Sequence, residues 1–335
     1  MPEVSVILPA FNAAHTVARA VRSILDQTLQ DLELIVVDDG SNDETAAVVR
    51  AIHDPRLRLI QQPHAHVAAA ANTATAHATA HATAPLIARM DADDYAHPNR
   101  LQQQRDLLLR QDADVVGCQV RIVNAAGDSV RTMKNYEHWI NEETLDAQQI
   151  MALRFVEFPL VNPTILARRS YFGLRFRDGD FPEDYDLLLR AAGRGMRLAK
   201  VGEILLDWTD SPGRLTRTDG RYTPEAFDRC RRAHLLAGPL AGVDRVDLWG
   251  VGQTGKPWLR WLQEQGITVR RGYDVSPRKL GVTIHGVPVA HPDSIPDADG
   301  TPLIIAVGAD GARQLITPQL LARGYEIAGD AWFVA

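Results

Sequence analysis

Cysteine is scarce: Cys118 and Cys230 are the only two in 335 residues, far apart and in no metal-ligand spacing. Their scarcity rules out a disulfide framework and a cysteine-ligated zinc module, and it fits a reducing compartment. Long apolar runs are missing as well. Met1-Pro2-Glu3 passes straight into a strand-like segment without a basic leader region, so neither a signal peptide nor a membrane-spanning helix is expected. Nor is positive charge in excess. Lys and Arg number 36 against 42 Asp and Glu, a formal net charge of −6, which argues against a general nucleic-acid binder. An anionic ligand therefore needs local help from a cation or a few Arg residues. The remaining balance, 45% hydrophobic and 23% charged, is that of a soluble globular protein long enough for two domains. A cytoplasmic location is expected, with any contact at the inner membrane face made peripherally through partner enzymes.

What is present begins with alternating strand and helix patterns. Val4-Ser5-Val6-Ile7-Leu8 is a β-branched run broken by Pro9, followed by the loop Pro9-Ala10-Phe11-Asn12. A helix pattern then places Val17, Val21, Ile24 and Leu25 on one face. Leu34-Ile35-Val36-Val37 is a second apolar strand, ending in Asp38-Asp39-Gly40-Ser41, and Ser41 with Glu44 has the spacing of a capping box. Leu57-Arg58-Leu59-Ile60 reads as a third strand. This alternation predicts an α/β fold with a parallel sheet and crossover helices. Residues 68–84 form an Ala- and Thr-rich tract expected to be an exposed helix. His77 and His81 share a face there, but no third ligand completes a zinc site.

The chain is organised around Arg89-Met90-Asp91-Ala92-Asp93-Asp94. Leu86-Ile87-Ala88 reads as a short buried strand, so these acids emerge at its carboxyl end, the edge where open α/β sheets bind ligands. An Asp-x-Asp pair there can hold Mg²⁺ or Mn²⁺, which in turn holds phosphate oxygens. The plainer alternative is an acidic turn capping the helix that begins near Asn99. Asp38 and Asp39 lie at the same edge, and Asp-Gly is also ordinary turn chemistry. Further on, Glu183-Asp184-Tyr185-Asp186 opens an apolar helix, where acids are also favoured by the helix dipole.

Four segments in order carry a family resemblance: Val4-to-Asn12 (VSVILPAFN), Val36-to-Asn42 (VVDDGSN), Met90-to-Asp94 (MDADD, continuing to Pro98-Asn99-Arg100-Leu101), and Glu183-Asp184. Over about the first 220 residues the chain resembles a glycosyltransferase of family 2 with the GT-A fold. The resemblance implies an inverting transferase that uses Mn²⁺ or Mg²⁺ and takes a UDP-, GDP- or dTDP-linked sugar. The acceptor it implies is a glycan or lipid-linked molecule, in bacterial surface polysaccharide synthesis. By the same resemblance Asp39 reads the nucleotide base between Pro9 and Phe11, Asp91 contacts the nucleoside, and Asp93 ligates the metal. Asp184 becomes the general base, with Glu183 orienting it or the acceptor. Asn162-Pro163-Thr164 resembles the acceptor-side segment. Arg214 and Arg217 are either charge partners for the diphosphate or a solvated basic loop. The chain departs from the family where relatives place a Gly and then an Arg before Asn72; here His66 and Ala71 stand instead.

A second α/β pattern follows a connecting helix over 221–243. Val246-Asp247-Leu248-Trp249 reads as a strand leading into Gly250-Val251-Gly252-Gln253-Thr254-Gly255, with GxGxxG spacing. Asp274 lies at the distance of a ribose contact. The same glycines mimic a P-loop, but Pro257 stands where a Ser or Thr is required. Residues 244–335 therefore resemble a small Rossmann-like domain, in which Gly250, Gly252, Gly255 and Asp274 form a possible second nucleotide site or a vestigial turn. Two other readings stay open: a dinucleotide-dependent oxidoreductase, and a non-catalytic nucleotide-sugar-binding protein.

Overall fold

The computed structural model describes residues 2–80 and 84–335; His81 lies outside them. The chain divides into two compact units, Met1–Ile150 with Pro159–Cys230, and Met151–Phe158 with Arg231–Ala335. Among the described residues, no helix is long and apolar enough to cross a membrane.

The first unit is built on an eight-stranded sheet. Its strands are β1 (Val4–Ala10), β2 (Leu32–Asp38), β3 (Leu57–Gln61), β4 (Leu86–Arg89), β5 (Tyr95–Ala96), β6 (Val115–Val123), β7 (Leu166–Arg168) and β8 (Leu198–Thr209). Their order across the sheet is β3-β2-β1-β4-β7-β6-β8-β5. β1 pairs in parallel with both β2 and β4, whereas β7 runs antiparallel to β4 and β6, so the sheet is mixed. Strands β1 and β2 are buried along their whole length, which explains apolar runs without alternation. The core cluster joins Val4, Val6 and Leu8 to Val21 and Ile24 of the helix Val17–Leu25 and to Leu101, Leu107 and Leu108 of the helix Arg100–Gln111.

Register places the acidic segments together. Ala10 at the end of β1 pairs with Asp38 at the end of β2, and Ile7 pairs with Arg89 at the end of β4. Asp39 N–H donates to the Ala10 carbonyl at 2.9 Å, and Met90 N–H donates to that of Ile7 at 3.0 Å. Both acidic segments thus leave the sheet at the carboxyl ends of neighbouring parallel strands.

Two local expectations are corrected. The Ala- and Thr-rich tract is not an exposed helix: within the helix His66–Ala80, Ala68, Ala70, Ala71, Ala74 and Ala78 are buried, and the helix packs on β1 and β2. Small side chains allow that close approach to the sheet although they give little amphipathic contrast. The capping box also fails to form. Ser41 Oγ accepts from Asn12 N–H at 2.9 Å, while Thr45 N–H is satisfied by Asp43 Oδ1 at 3.0 Å. A contact between two loops takes the hydroxyl that a local cap would use.

The second unit carries a six-stranded sheet of β9 (Arg245–Trp249), β10 (Thr268–Tyr273), β11 (Thr283–Ile284), β12 (Val287–Ala290), β13 (Leu303–Ile305) and β14 (Ala331–Phe333), in the order β11-β12-β10-β9-β13-β14. All pairings are parallel except β11 with β12. Residues 151–158, distant in sequence, belong to this unit. Arg154 lies 5.1 Å over the Trp332 ring, Phe155 meets the same ring edge-on, and Arg231 donates to the Val156 carbonyl at 2.7 Å.

Candidate active site

Asp39 is buried at the end of β2, and its carboxylate is already engaged by its own chain. Gln62 Nε2 donates to Oδ1 at 2.5 Å, Ala65 N–H reaches both oxygens at 3.1 and 3.2 Å, and His64 Nδ1 lies 2.9 Å from Oδ2. Above it, Phe11 is 44% exposed and stacks on His64 with ring centroids 4.2 Å apart. His66 meets His64 edge-on at 4.7 Å. Gly40, at φ +75°, leaves room for this loop, because a Cβ there would lie 2.7 Å from His64 N. His66 itself adopts φ 67°, a left-handed conformation in which histidine is tolerated better than most residues.

The acidic triplet is held from several sides. Arg89 Nε and Nη2 donate to Asp91 Oδ1 at 2.9 and 2.8 Å. Arg19 Nη2 and Thr209 Oγ1 donate to the Asp93 carbonyl at 3.0 and 2.6 Å, and Thr209 N–H donates to Asp94 Oδ1 at 2.8 Å. Burial and the neighbouring Asp91 push Asp93 up to about 6, against the pull of Arg214 and Arg19. Asp94 is pushed well above the usual carboxylate range by burial, then by Asp93 and Asp91. Its Oδ2 is buried without a hydrogen-bond partner.

These observations test the fit of a divalent cation. Carboxylates that repel one another, one with an orphaned buried oxygen, form a cluster of hard oxygen donors that Arg89, Arg214 and Arg19 offset only in part, which suits Mg²⁺ or Mn²⁺. Among the described residues, no group of three or more His, Cys, Asp or Glu side chains is placed to hold a metal ion. The fit is therefore to an ion shared between one or two carboxylates and a substrate's phosphates, the usual arrangement for Mg²⁺.

The Glu183–Gly193 helix brings Glu183 and Asp184 to the same region. Burial first, then the Glu183 and Asp91 carboxylates, push Asp184 up to about 8, with Arg89 pulling it down. That coupling connects the end of β4 to the start of a helix more than ninety residues later. Asp184 Oδ1 accepts from Tyr185 N–H at 2.7 Å. Glu183 is buried and accepts from the Tyr222 hydroxyl at 2.6 Å, and burial raises it too. Asp186, the third acid at this helix start, is committed to Arg190 at 2.7 Å. Arg214 lies 4.2 Å over the Trp208 ring and acts electrostatically on Asp93 and Asp94, whereas Arg217 pairs with Asp210 at 2.6 Å. Arg19, Thr209 and Tyr222 were not singled out in the sequence, and Arg89 was named there only as the start of the acidic stretch, with no role of its own. Only Arg89 carried a signal, as a charge ending an apolar strand.

The second unit's loop is tightly closed. A Cβ at Gly255 would lie 1.7 Å from the Gly250 carbonyl oxygen, so that glycine is needed for the turn itself. Asp274 is buried, and its Oδ2 accepts from Lys279 Nζ at 2.7 Å and from Val251 N–H at 3.3 Å. The carboxylate expected for a ribose is thus held inside the unit, and Lys279 Nζ lies 3.1 Å from where a Gly252 Cβ would stand.

Comparison with known proteins adds the following. The family model described as Glycosyl transferase family 2 matches residues 5–175. The chain is 34% identical over 209 residues to the succinoglycan biosynthesis protein ExoU of Rhizobium meliloti, 58% of each chain. It is 29% identical over 210 residues to the O-antigen biosynthesis glycosyltransferase WbnJ of Escherichia coli, 61% of this chain and 78% of that one. A match to the chondroitin synthase of Pasteurella multocida, 31% identical over 150 residues, covers 44% of this chain and spans only 15% of the synthase. Among solved structures, S. aureus TarS in complex with UDP-GlcNAc aligns with TM-score 0.56 at 19% identity, over 71% of this chain and 67% of that one. The mannosyltransferase PcManGT from Pyrobaculum calidifontis, in complex with GDP-Man and Mn²⁺, aligns with TM-score 0.50 at 20% identity, over 72% and 76%.

Proposed function

The chain belongs to glycosyl transferase family 2, and from that premise we propose that it is an inverting, metal-dependent glycosyltransferase. It moves a sugar from a nucleotide-diphosphate donor to a hydroxyl of a glycan or lipid-linked acceptor, in the synthesis of a bacterial surface polysaccharide. The observation that carries this reading is the convergence of Asp91, Asp93 and Asp184. Asp91 and Asp93 share the segment after β4, Asp184 opens a distant helix, and the Asp91 carboxylate acts electrostatically on both Asp93 and Asp184. Relatives named for succinoglycan and O-antigen biosynthesis support the pathway class. The neighbours holding UDP-GlcNAc, and GDP-Man with Mn²⁺, support a nucleotide-linked donor and a divalent cation.

In this reading Pro9, Phe11 and Asp39 surround the nucleobase, with Asp39 oriented by Gln62 and Ala65. Asp91 contacts the nucleoside, and Asp93 holds Mn²⁺ or Mg²⁺. When bound, the ion stabilises the charge that develops on the departing diphosphate. Arg214 adds positive charge beside Asp93. Asp184 takes the proton from the acceptor hydroxyl as that oxygen attacks the anomeric carbon opposite the leaving diphosphate, and this single displacement inverts the centre. Its raised proton affinity suits a base working near neutral pH. Glu183, tethered by Tyr222, fixes the start of the helix that carries the base. Residues 244–335 form a Rossmann-like unit in which Asp274 serves the fold.

Incubation with UDP-GlcNAc, UDP-glucose, dTDP-glucose and GDP-mannose in Mn²⁺, with and without chelator, tests the reading. Release of nucleoside diphosphate from one donor, abolished by chelator, is expected. No release from any of them, or release indifferent to chelator, contradicts it.

A further inference from the structure

Arg89 ends an apolar strand, its side chain is 3% exposed, and none of the roles above uses it. Its Nε and Nη2 both donate to Asp91 Oδ1. The guanidinium lies 5.9 Å over the Phe176 ring centroid. Phe176 is fixed in turn at both backbone polar atoms by one side chain: Asn72 Nδ2 donates to its carbonyl at 2.8 Å, and Asn72 Oδ1 accepts from its N–H at 2.9 Å. Arg100 Nη2 holds the Arg89 carbonyl at 3.0 Å. The position of this cation is therefore determined from below, from the strand and from the carboxylate it binds. Its charge also acts on Glu183 and Asp184. A buried guanidinium persists only where its charge is matched, and here one cation is shared by carboxylates from two distant elements.

We propose that Arg89 is a positioning residue for the transfer reaction: its fork, held by the strand below and by Phe176, fixes Asp91 for the donor. The inference rests on the functional reading above. It separates two properties that lysine does not share equally. Lysine keeps the positive charge but lacks the planar pair of donors that grips Asp91. Asp184 is faced by Glu183, Asp91 and Arg89, with Tyr171 and Tyr222 also in electrostatic reach. Arg89 is the cation that acts on Asp184, while Arg190 acts on Tyr171 and Arg221 on Glu183 and Tyr222.

The test compares wild type, Arg89→Lys, Arg89→Gln and Phe176→Leu, after circular dichroism has shown each to be folded. UDP and GDP affinity in Mn²⁺ is measured by calorimetry, and the pH profile of donor hydrolysis is followed with UDP-GlcNAc, UDP-glucose and GDP-mannose. Arg89→Lys is expected to weaken nucleotide binding about tenfold, the loss of one charged hydrogen bond, with the acidic limb of the pH profile unmoved. Arg89→Gln is expected to weaken binding equally and to move that limb upward by about one pH unit. A folded Arg89→Gln with wild-type affinity and an unmoved limb overturns the proposal. If Arg89→Gln does not fold, Phe176→Leu decides: a severalfold loss of affinity supports the proposal, and wild-type affinity with an unmoved limb overturns it. If wild type hydrolyses no donor, the functional reading fails separately, and unchanged nucleotide affinity in Arg89→Gln still overturns the role of the fork.

Discussion

Asp184 holds its proton more tightly than an ordinary aspartate because it is buried beside Glu183 and Asp91. Two consequences follow for this residue. As the proposed base it must be ionised, so kcat/KM under donor-limiting conditions should rise with pH through about 8. For stability the sign is opposite. The folded state binds a proton that the unfolded state has released, so stability falls as pH rises from the ordinary carboxylate range toward 8. Asp184→Asn removes both effects. Its turnover should fall about 10²-fold or more with donor affinity nearly unchanged, while its melting temperature at pH 8 rises and varies less between pH 4 and 8. Kinetics and thermal melts over that pH range check both. An Asp184→Asn enzyme with normal turnover would move the base elsewhere.

At the scale of elements, the site depends on loops that hold one another. Gly40 sits at φ +75° with a prospective Cβ 2.7 Å from backbone His64 N. Gly40→Ala should cost about 1–3 kcal/mol, and the displaced His64 and Ala65 should loosen their hold on Asp39; chemical denaturation and UDP titration measure the two effects. Arg100 is fully buried and donates to the carbonyls of Pro163 at 2.7 Å and Arg89 at 3.0 Å, tying the acidic strand to the Asn162–Thr164 segment. Arg100→Met should therefore destabilise the fold by about 3 kcal/mol or more, since it strands two buried carbonyls. The short strand Leu86–Arg89 and its trailing acids were legible because they stand in order with the segments Val4-to-Asn12, Val36-to-Asn42 and Glu183-Asp184; alone, the acids read equally well as a helix-capping turn. The clamp of Asn72 on Phe176 and the grip of Arg89 on Asp91 were not. Asn72 and Phe176 meet across 104 residues, and no local pattern marks such a pair. The capping-box spacing misled for the same reason, since Asn12 claims Ser41 from another loop.

At the scale of the whole molecule, the strand–helix alternation gave the α/β class, but linear reading placed residues 151–158 with the first unit. The aromatic contacts of Phe155 and the cation over Trp332 bind them into the second. A chain ending at Gly242 keeps every transferase motif yet strips Arg154 and Phe155 of Trp332. It should melt several degrees below the full chain and tend to aggregate; an unchanged melting temperature would contradict this. With Asp274 held by Lys279, NAD, NADP and S-adenosylmethionine should leave the melting of the full chain unshifted. A true ligand at 100-fold over its Kd would add about 2.7 kcal/mol. The central claim is that the acids ending β4 bind a donor's diphosphate through a metal. Calorimetric titration of UDP and GDP, with and without Mn²⁺, into wild type and Asp93→Ala measures it most directly. Wild type should bind one nucleotide at least about tenfold more tightly in Mn²⁺, and Asp93→Ala should lose that gain while keeping its metal-free affinity. Equal affinity with and without Mn²⁺ in wild type, or a gain that survives in Asp93→Ala, would contradict the account.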